Sequence, residues 1–310
     1  MTTRPALGVL LPRDLPAHEV LEYARRAEAA GAAELWVVED LGYRGGIAQA
    51  AAVLAATSTL RVGIGILPAA VRNPAFLAME LATLAQLFPG RIDAGIGHGM
   101  PDWMRQVGAW PERPLALLER TVTSVRALLR GEEHEGVRLD PSAVPATPPP
   151  LLAGVRGPRS LAAAGRVADG TVLAEPVTPE YAASALARIA ATGPHRLVAY
   201  NVASVGDDES AAFAAARPSL AWIGEPDWDV HIADLPFADE FRALRADAQD
   251  QQDFAARLPD AWVAQLALAG SPERVRARIV DLGAAGVTDI VLQPTASDPL
   301  AVIAALEDLA

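Results

Sequence analysis

The chain has 310 residues, 51% of them hydrophobic and 21% charged, so it is long and apolar enough to bury a large core. Its net charge of −12, with no basic stripe, argues against nucleic acid or an anionic membrane as a partner. It has no Cys, which removes disulfides and thiol chemistry, and all 26 basic residues are Arg, which removes a Schiff-base lysine.

In chain order, LGVLL (residues 7–11) reads as a first buried strand, ended by Pro12. The same Pro12 and Arg13 break the opening apolar run too early for a signal peptide. No run approaches the roughly 20 apolar residues that a membrane span requires, so a cytoplasmic protein is expected. Pro16 opens an amphipathic helix to Ala30, with Val20, Leu21, Ala24 and Ala27 on one face, and Gly31 stops it. ELWVV is strand two and leaves through Glu39 and Asp40 into a Gly-rich loop. Residues 46–57 form a short alanine-rich helix.

RVGIGIL (residues 61–67) is a strand with two glycines and no charge after Arg61, as expected of a strand buried on both faces. Asn73-Pro74 opens a helix to Phe88, and Pro89-Gly90 stops it. RIDAGIG is strand four and runs into Gly97-His98-Gly99. Alternating glycines at a strand end let backbone approach whatever lies above. The next stretch, PDWMRQVGAWPERP, reads as a loop carrying Trp103 and Trp110, and residues 115–129 read as helix. Residues 131–150 are charged, then proline-rich, and read as a surface excursion.

LLAGV, GTVLA and RLVAYNVASV continue the strands, with helices over 158–167 and 179–191 between them. Residues 207–269 hold several helical segments and no strand. A helix over 272–285, strand DIVLQ and a helix to Leu309 close the chain. Eight strands, uncharged in their middles and alternating with helices, predict a single α/β domain over 1–310. Its architecture is a (β/α)8 TIM barrel with a helical insertion, residues 207–269, between the last two strands. A repeated helix end supports this: Ala29-Ala30-Gly31 before strand two is echoed by Ala284-Ala285-Gly286 before the last. An open doubly wound sheet would show similar units, but no G-x-G-x-x-G follows the first strand.

In such a barrel the active site lies at the strand C-termini. Those ends are residues 10–13, 39–43, 65–68, 97–102, 154–159, 174–176, 201–204 and 293–295. His98 is the one histidine of five at such an end, and is either the acid/base group or a loop histidine bonded to backbone. No HxH or HxxxH pair suggests a metal. Gly154-Val155-Arg156-Gly157-Pro158-Arg159-Ser160 joins a strand to a helix start, and its glycines and two arginines would cradle a phosphate. Glu39-Asp40 is either a functional carboxylate pair or a capping and salt-bridging one, with Arg44 nearby.

The segments LWVVEDLGYRGG, RVGIGIL…NP…AMELATLAQLFPGRIDAGIGHG, GPRSLAAAGRVADGTVL and AGSPERVRARIVDLGAAGVTDIVLQP together resemble the bacterial luciferase-like superfamily. Its members bind FMN or the deazaflavin coenzyme F420 in a (β/α)8 barrel. The resemblance covers most of the chain and is weakest over about 207–260. It implies a non-prolyl cis bond at Gly65-Ile66 against the central ring of the cofactor. It also places Gly97, His98 and Gly99 along the ring edge, and Ala153, Gly154, Val155, Arg156, Gly157, Arg159 and Gly170 on the phosphate side. Glu39 and Asp40 stand where deazaflavin-dependent relatives have Asp-His, which makes Asp40, with His98, a catalytic candidate.

Two departures matter. The methylene-tetrahydromethanopterin reductases of the superfamily carry Glu where Leu10 stands and Asp where Met100 stands, so that activity is not expected. The implied function is F420-dependent hydride transfer to or from a small organic substrate, in a homodimer. One alternative is an FMN-dependent monooxygenase fed by a flavin reductase partner. Another is a barrel that binds a cofactor without turnover.

Overall fold

The computed structural model describes residues 4–295 and 298–309. Nine parallel strands run β1 (Ala6–Leu10), β2 (Glu34–Val37), β3 (Arg61–Pro68), β4 (Ile92–Gly97), β5 (Leu151–Gly154), β6 (Gly170–Leu173), β7 (Arg196–Val205), β8 (Leu268–Gly270) and β9 (Asp289–Pro294). Each strand pairs with its successor from β1 to β7; β7 pairs with β9, and β9 with β1, so eight strands close a barrel. The ninth, β8, pairs only with the outer end of β7, from Ala203 onward. It falls at the edge of the segment expected to be purely helical. Its three residues carry no periodicity, and it exists because the ten-residue β7 projects beyond the barrel and offers a free edge.

Helices cover the outside, and their starts follow the prolines. Pro74, Pro114, Pro158, Pro179 and Pro272 each occupy the first helical turn, where a missing N–H leaves no broken bond. Side-chain oxygens of Asn73, Thr178 and Ser271 cap three of these helices. Pro101 likewise opens a six-residue helix, Pro101–Gln106, inside the stretch read as loop. Gly31 and Gly286, at the two echoed helix ends, hold φ of +78° and +96°, the left-handed conformation that glycine adopts without strain. Among the described residues no helix is long and apolar enough to cross a membrane.

The interior of the barrel is a core of its own, built by Leu10, Trp36, Leu152, Val172, Val198, Tyr200 and Val291. Below it, at the strand N-termini, lies a floor of charge. Arg196 of β7 reaches Glu34 of β2 at 2.7 Å, Asp93 of β4 at 2.9 Å and Asp289 of β9 at 2.9 Å. Arg61 adds bonds to Glu34 and Asp93, and Trp36 Nε1 donates to Glu34 at 2.7 Å. The three carboxylates are all but sealed from water. Burial, together with Asp289 and Asp93, pushes the Glu34 carboxyl up to about 7.

Replacing Arg196 with Met strands buried carboxylates and is expected to cost about 3–5 kcal/mol of unfolding free energy by denaturant titration. Glu34 adds a pH dependence. Its folded pKa, about 7, lies above the ordinary 4.5, so the stability it contributes is full below the lower value and lost as pH rises through the higher. Stability should therefore fall between about pH 5 and pH 8, and less so in Glu34→Gln. Equal slopes for the two proteins would refute the assignment.

Candidate active site

The C-terminal ends of the strands open at the face opposite this floor. Here β3 slips in register against β4 between Ile64 and Leu67, and the Gly65-Ile66 bond is cis, as expected from the resemblance. The glycines around it have a different job from the expected approach of backbone to ligand. A Cβ on Gly154 would lie 2.3 Å from Ile66 Cγ2, and one on Gly97 would lie 3.1 Å from the Ile66 side chain. Gly95 is similarly occupied, with Ile66 Cγ2 3.2 Å from its Cβ position. The Ile66 side chain thus lies across β4 and β5 and fills the space that three missing side chains leave. On the other side, a Cβ on Gly65 would sit 2.0 Å from the Tyr200 hydroxyl, and one on Gly63 would sit 2.2 Å from the Trp36 ring. Gly99 holds a φ of +72° as β4 ends.

The carboxylates after β2 separate. Glu39 accepts from the Gly46 amide at 2.8 Å, capping the next helix, and forms a two-pronged ion pair with Arg72. Asp40 pairs with Arg13 at 2.7 Å and stays at the mouth. Arg44 takes part in neither; its guanidinium bonds Gln49 and the Leu15 and Pro12 carbonyls. Trp110 lies under Arg105, 5.3 Å from its ring centre.

His98 turns sideways rather than into the barrel. Its Nε2 meets Ser160 Oγ at 3.1 Å, and its Nδ1 is buried without a hydrogen-bond partner. Burial lowers its pKa, against the opposing pull of the Pro114 backbone. It lines a cleft of about 450 Å³ with Arg113, Pro114, Glu119, Arg159 and Ser160. Arg113 and Arg159 are exposed there and form no ion pair among the described residues. The helix Pro158–Val167 begins at the same place, with open space above its Gly157 cap.

The two arginines of the expected phosphate loop therefore part company. Arg156 points the other way, stacked 4.1 Å from the Trp228 ring and 3.7 Å from Asp227. Ala153 and Val155 bury their side chains in the outer core and offer only backbone. Gly170 stands apart. It begins β6, on the floor, where a Cβ would meet the Arg196 backbone at 2.7 Å. A residue that opens a parallel strand lies one barrel height from the mouth, so this position does not join the others. A cavity of about 650 Å³, lined by Arg126, Arg130, Asp169, His195 and Arg196, opens at that floor end, away from the strand C-termini.

Sequence reasoning assigned no role to several residues that the structure brings to the mouth. Tyr200 is buried, with an unpartnered hydroxyl, and Gln293 has an unpartnered Oε1. Glu175 follows the end of β6, with the Gln293 side chain as its neighbour. The segment 175–177 is clamped: Trp228 Nε1 donates to the Glu175 carbonyl at 3.0 Å and His231 Nδ1 to the Pro176 carbonyl at 3.1 Å. Asn201 bonds both the Val177 amide and the Val177 carbonyl. Glu175-Pro176 is a cis X-Pro bond. A polar pair, Tyr200-Asn201, in the middle of an otherwise apolar strand was the available signal.

This geometry has known counterparts. A profile of the luciferase-like monooxygenase family matches residues 2–289, and the chain belongs to that family. It is 27% identical to a 5,10-methylenetetrahydromethanopterin reductase of Methanolobus tindarius, over 91% of each chain. It is 33% identical to an F420-dependent glucose-6-phosphate dehydrogenase of Nakamurella multipartita, over 50% of this chain and 51% of that one. Its fold superposes on the coenzyme F420 dependent tetrahydromethanopterin reductase of Methanopyrus kandleri with a TM-score of 0.79. That match has 21% identity and covers 99% of this chain and 97% of the other.

The Ile66 interlock is testable by a double-mutant cycle. Gly154→Ala forces a methyl into Ile66 and should destabilise by about 1–3 kcal/mol. Adding Ile66→Ala should make the alanine at 154 cost less than it does alone, by at least about 0.5 kcal/mol. Strict additivity would show that the two side chains do not share that space.

Proposed function

We propose that the chain is an F420-dependent oxidoreductase acting on a small organic molecule. The observation that carries this is the pair of unpaired arginines, Arg113 and Arg159, at a helix start beside a barrel mouth that holds two unpartnered buried polar atoms. The residues fit a cofactor with an anionic arm and a polar ring. Arg113, Arg159 and Ser160 would hold the arm, with the N–H groups that begin the helix Pro158–Val167. Ile66 would form the apolar bed of the ring, and Tyr200 and Gln293 lie within the mouth to meet its polar edge or the substrate. Bound F420 supplies two-electron hydride chemistry. The protein contributes orientation, exclusion of water and a proton.

The relatives support the deazaflavin over FMN, because two of the three proteins named above are F420-dependent. A flavin reductase partner belongs only to the FMN reading. We read residues 207–269 as an insertion in a single barrel domain that covers one side of the pocket and selects substrate. Its helices form a core around Phe213, Trp228, Phe241 and Phe254, on which Met100 of the β4 loop also packs. We further read the enzyme as a cytoplasmic homodimer, supported by the exposed apolar side chains Phe76, Met79 and Leu87 on the helix Pro74–Leu87.

Parallel fluorescence titrations of the apoprotein with F420 and FMN test the reading, with tighter binding of F420 expected. Arg159→Ala should weaken that binding by about 1.5–3 kcal/mol, the worth of a charge-assisted hydrogen bond. Tight binding of neither cofactor overturns the proposal. An unchanged affinity in the variant moves the anionic arm away from Arg159.

A further inference from the structure

The relatives' activities imply a proton for every hydride, yet the two residues that the sequence offers as acid or base are engaged elsewhere. His98 faces the side cleft and bonds Ser160, and Asp40 is held by Arg13. Glu34 lies on the floor beneath the barrel core. One further carboxyl stands at the mouth. We propose that Glu175, clamped at the end of β6 beside Gln293, is the residue that exchanges a proton with an uncharged carbonyl or alcohol substrate. This inference rests on the oxidoreductase reading above.

The geometry argues for it in three ways. First, the backbone of 175–177 is fixed from both sides, by Trp228 and His231 of the insertion and by Asn201 of β7. A side chain on such a support is held in place without substrate, as proton transfer in a positioned complex requires. Second, the neighbours are polar but incompletely satisfied. Gln293, beside Glu175, has its Oε1 buried and unpartnered, and the Tyr200 hydroxyl is buried and unpartnered too. Natural structures rarely leave such atoms bare, so a substrate oxygen is the fitting partner for the hydroxyl.

Third, the charges around Glu175 favour its neutral form. Its charged and titratable neighbours are Arg13, Asp40 and Arg156 from the loops after β1, β2 and β5, and Tyr200 of β7, with Gln293 of β9 alongside. Arg13 is matched by Asp40 and Arg156 by Asp227, so neither cation is free to hold a carboxylate. Burial raises the Glu175 pKa, and Asp40 raises it further, against the hydrogen bonds from its own amide and Gln293 and the attraction of Arg13. A Glu175 biased toward its neutral form adds no charge to the two ion pairs around it, Arg13–Asp40 and Arg156–Asp227. That suits an uncharged substrate and disfavours a carboxylate or phosphate at the reacting end.

The step balances as follows. The carbonyl carbon takes hydride from reduced deazaflavin, and the π electrons move onto the carbonyl oxygen. The O–H bond of Glu175 breaks and its proton goes to that oxygen. The substrate is reduced to an alcohol, the cofactor is oxidised, and Glu175 is left as a carboxylate to be reprotonated from water. Alcohol oxidation runs the same step in reverse.

Two measurements decide the matter. In the apoprotein, carbon-13 NMR of labelled glutamates should show a carboxyl besides that of Glu34 titrating above the others, and Glu175→Gln should remove it. A Glu175 resonance that titrates with the remaining glutamates overturns the proposal. In turnover, reoxidation of reduced F420 is followed with acetone, cyclohexanone and acetophenone. For every ketone that the native enzyme reduces, Glu175→Gln should lower kcat by about 100-fold or more, with Glu175→Asp recovering part of it. The F420 dissociation constant should be unchanged in both variants. Undiminished kcat in Glu175→Gln, or a native enzyme that reduces none of the three, also overturns it. Tight F420 binding alongside an ordinary Glu175 would sink this inference alone, whereas loss of F420 binding by the native chain would remove the function it rests on.

Discussion

The structure depends on Arg196. A closed parallel barrel must fill its interior, and the lowest layer here is filled with charge rather than hydrocarbon. Three buried carboxylates from β2, β4 and β9 converge on one guanidinium, with Arg61 as the second cation. Three negative groups against two positive ones leave one charge unmatched, and the system meets this by holding a proton on Glu34. The planar fork of arginine makes the arrangement possible, since one side chain bonds strands on opposite sides of the ring. The register of β2, β4, β7 and β9 is thereby tied together at the floor.

The upper layers are arranged by what glycine omits. Gly63 leaves room for Trp36 and Gly65 for the Tyr200 hydroxyl, and Gly95, Gly97 and Gly154 leave room for Ile66. Backbone and one isoleucine thus form the bed of the mouth where three side chains would otherwise stand. A mouth of this kind is smooth and apolar in its middle, with polar atoms confined to Tyr200, Gln293 and Glu175 at one side. Such a surface suits a flat ring better than a flexible chain.

Residues 228–231 brace two of the barrel's loops. Trp228 bonds the Glu175 carbonyl and stacks on Arg156, while His231 bonds the Pro176 carbonyl and lies against Tyr181. The segment least like the family therefore supports two loops of the barrel that carry the candidate chemistry. Burial pushes His231 down to about 3, so it stays neutral and its contact with Pro176 is not a pH-sensitive one.

The barrel itself could be read along the chain. Uncharged strand centres, prolines at helix starts and glycines at helix ends are local signals, and the eight barrel strands follow from them without regard to partners. The strand-end rule then placed Asp40, Gly65, Ile66, His98 and Arg159 at one face, and they lie there. What the sequence could not decide is direction and pairing. Arg156 and Arg159 are three residues apart on one loop, yet one is bound by the insertion and the other is free in the cleft. Glu39 and Asp40 are adjacent, yet the first caps a helix and the second stays at the mouth. Gly170 follows a recognisable motif but starts its strand, and so lies at the floor. Each outcome depends on a partner distant in sequence, such as Trp228, Arg72, Arg13 or Arg196, that only the closed barrel brings within bonding distance.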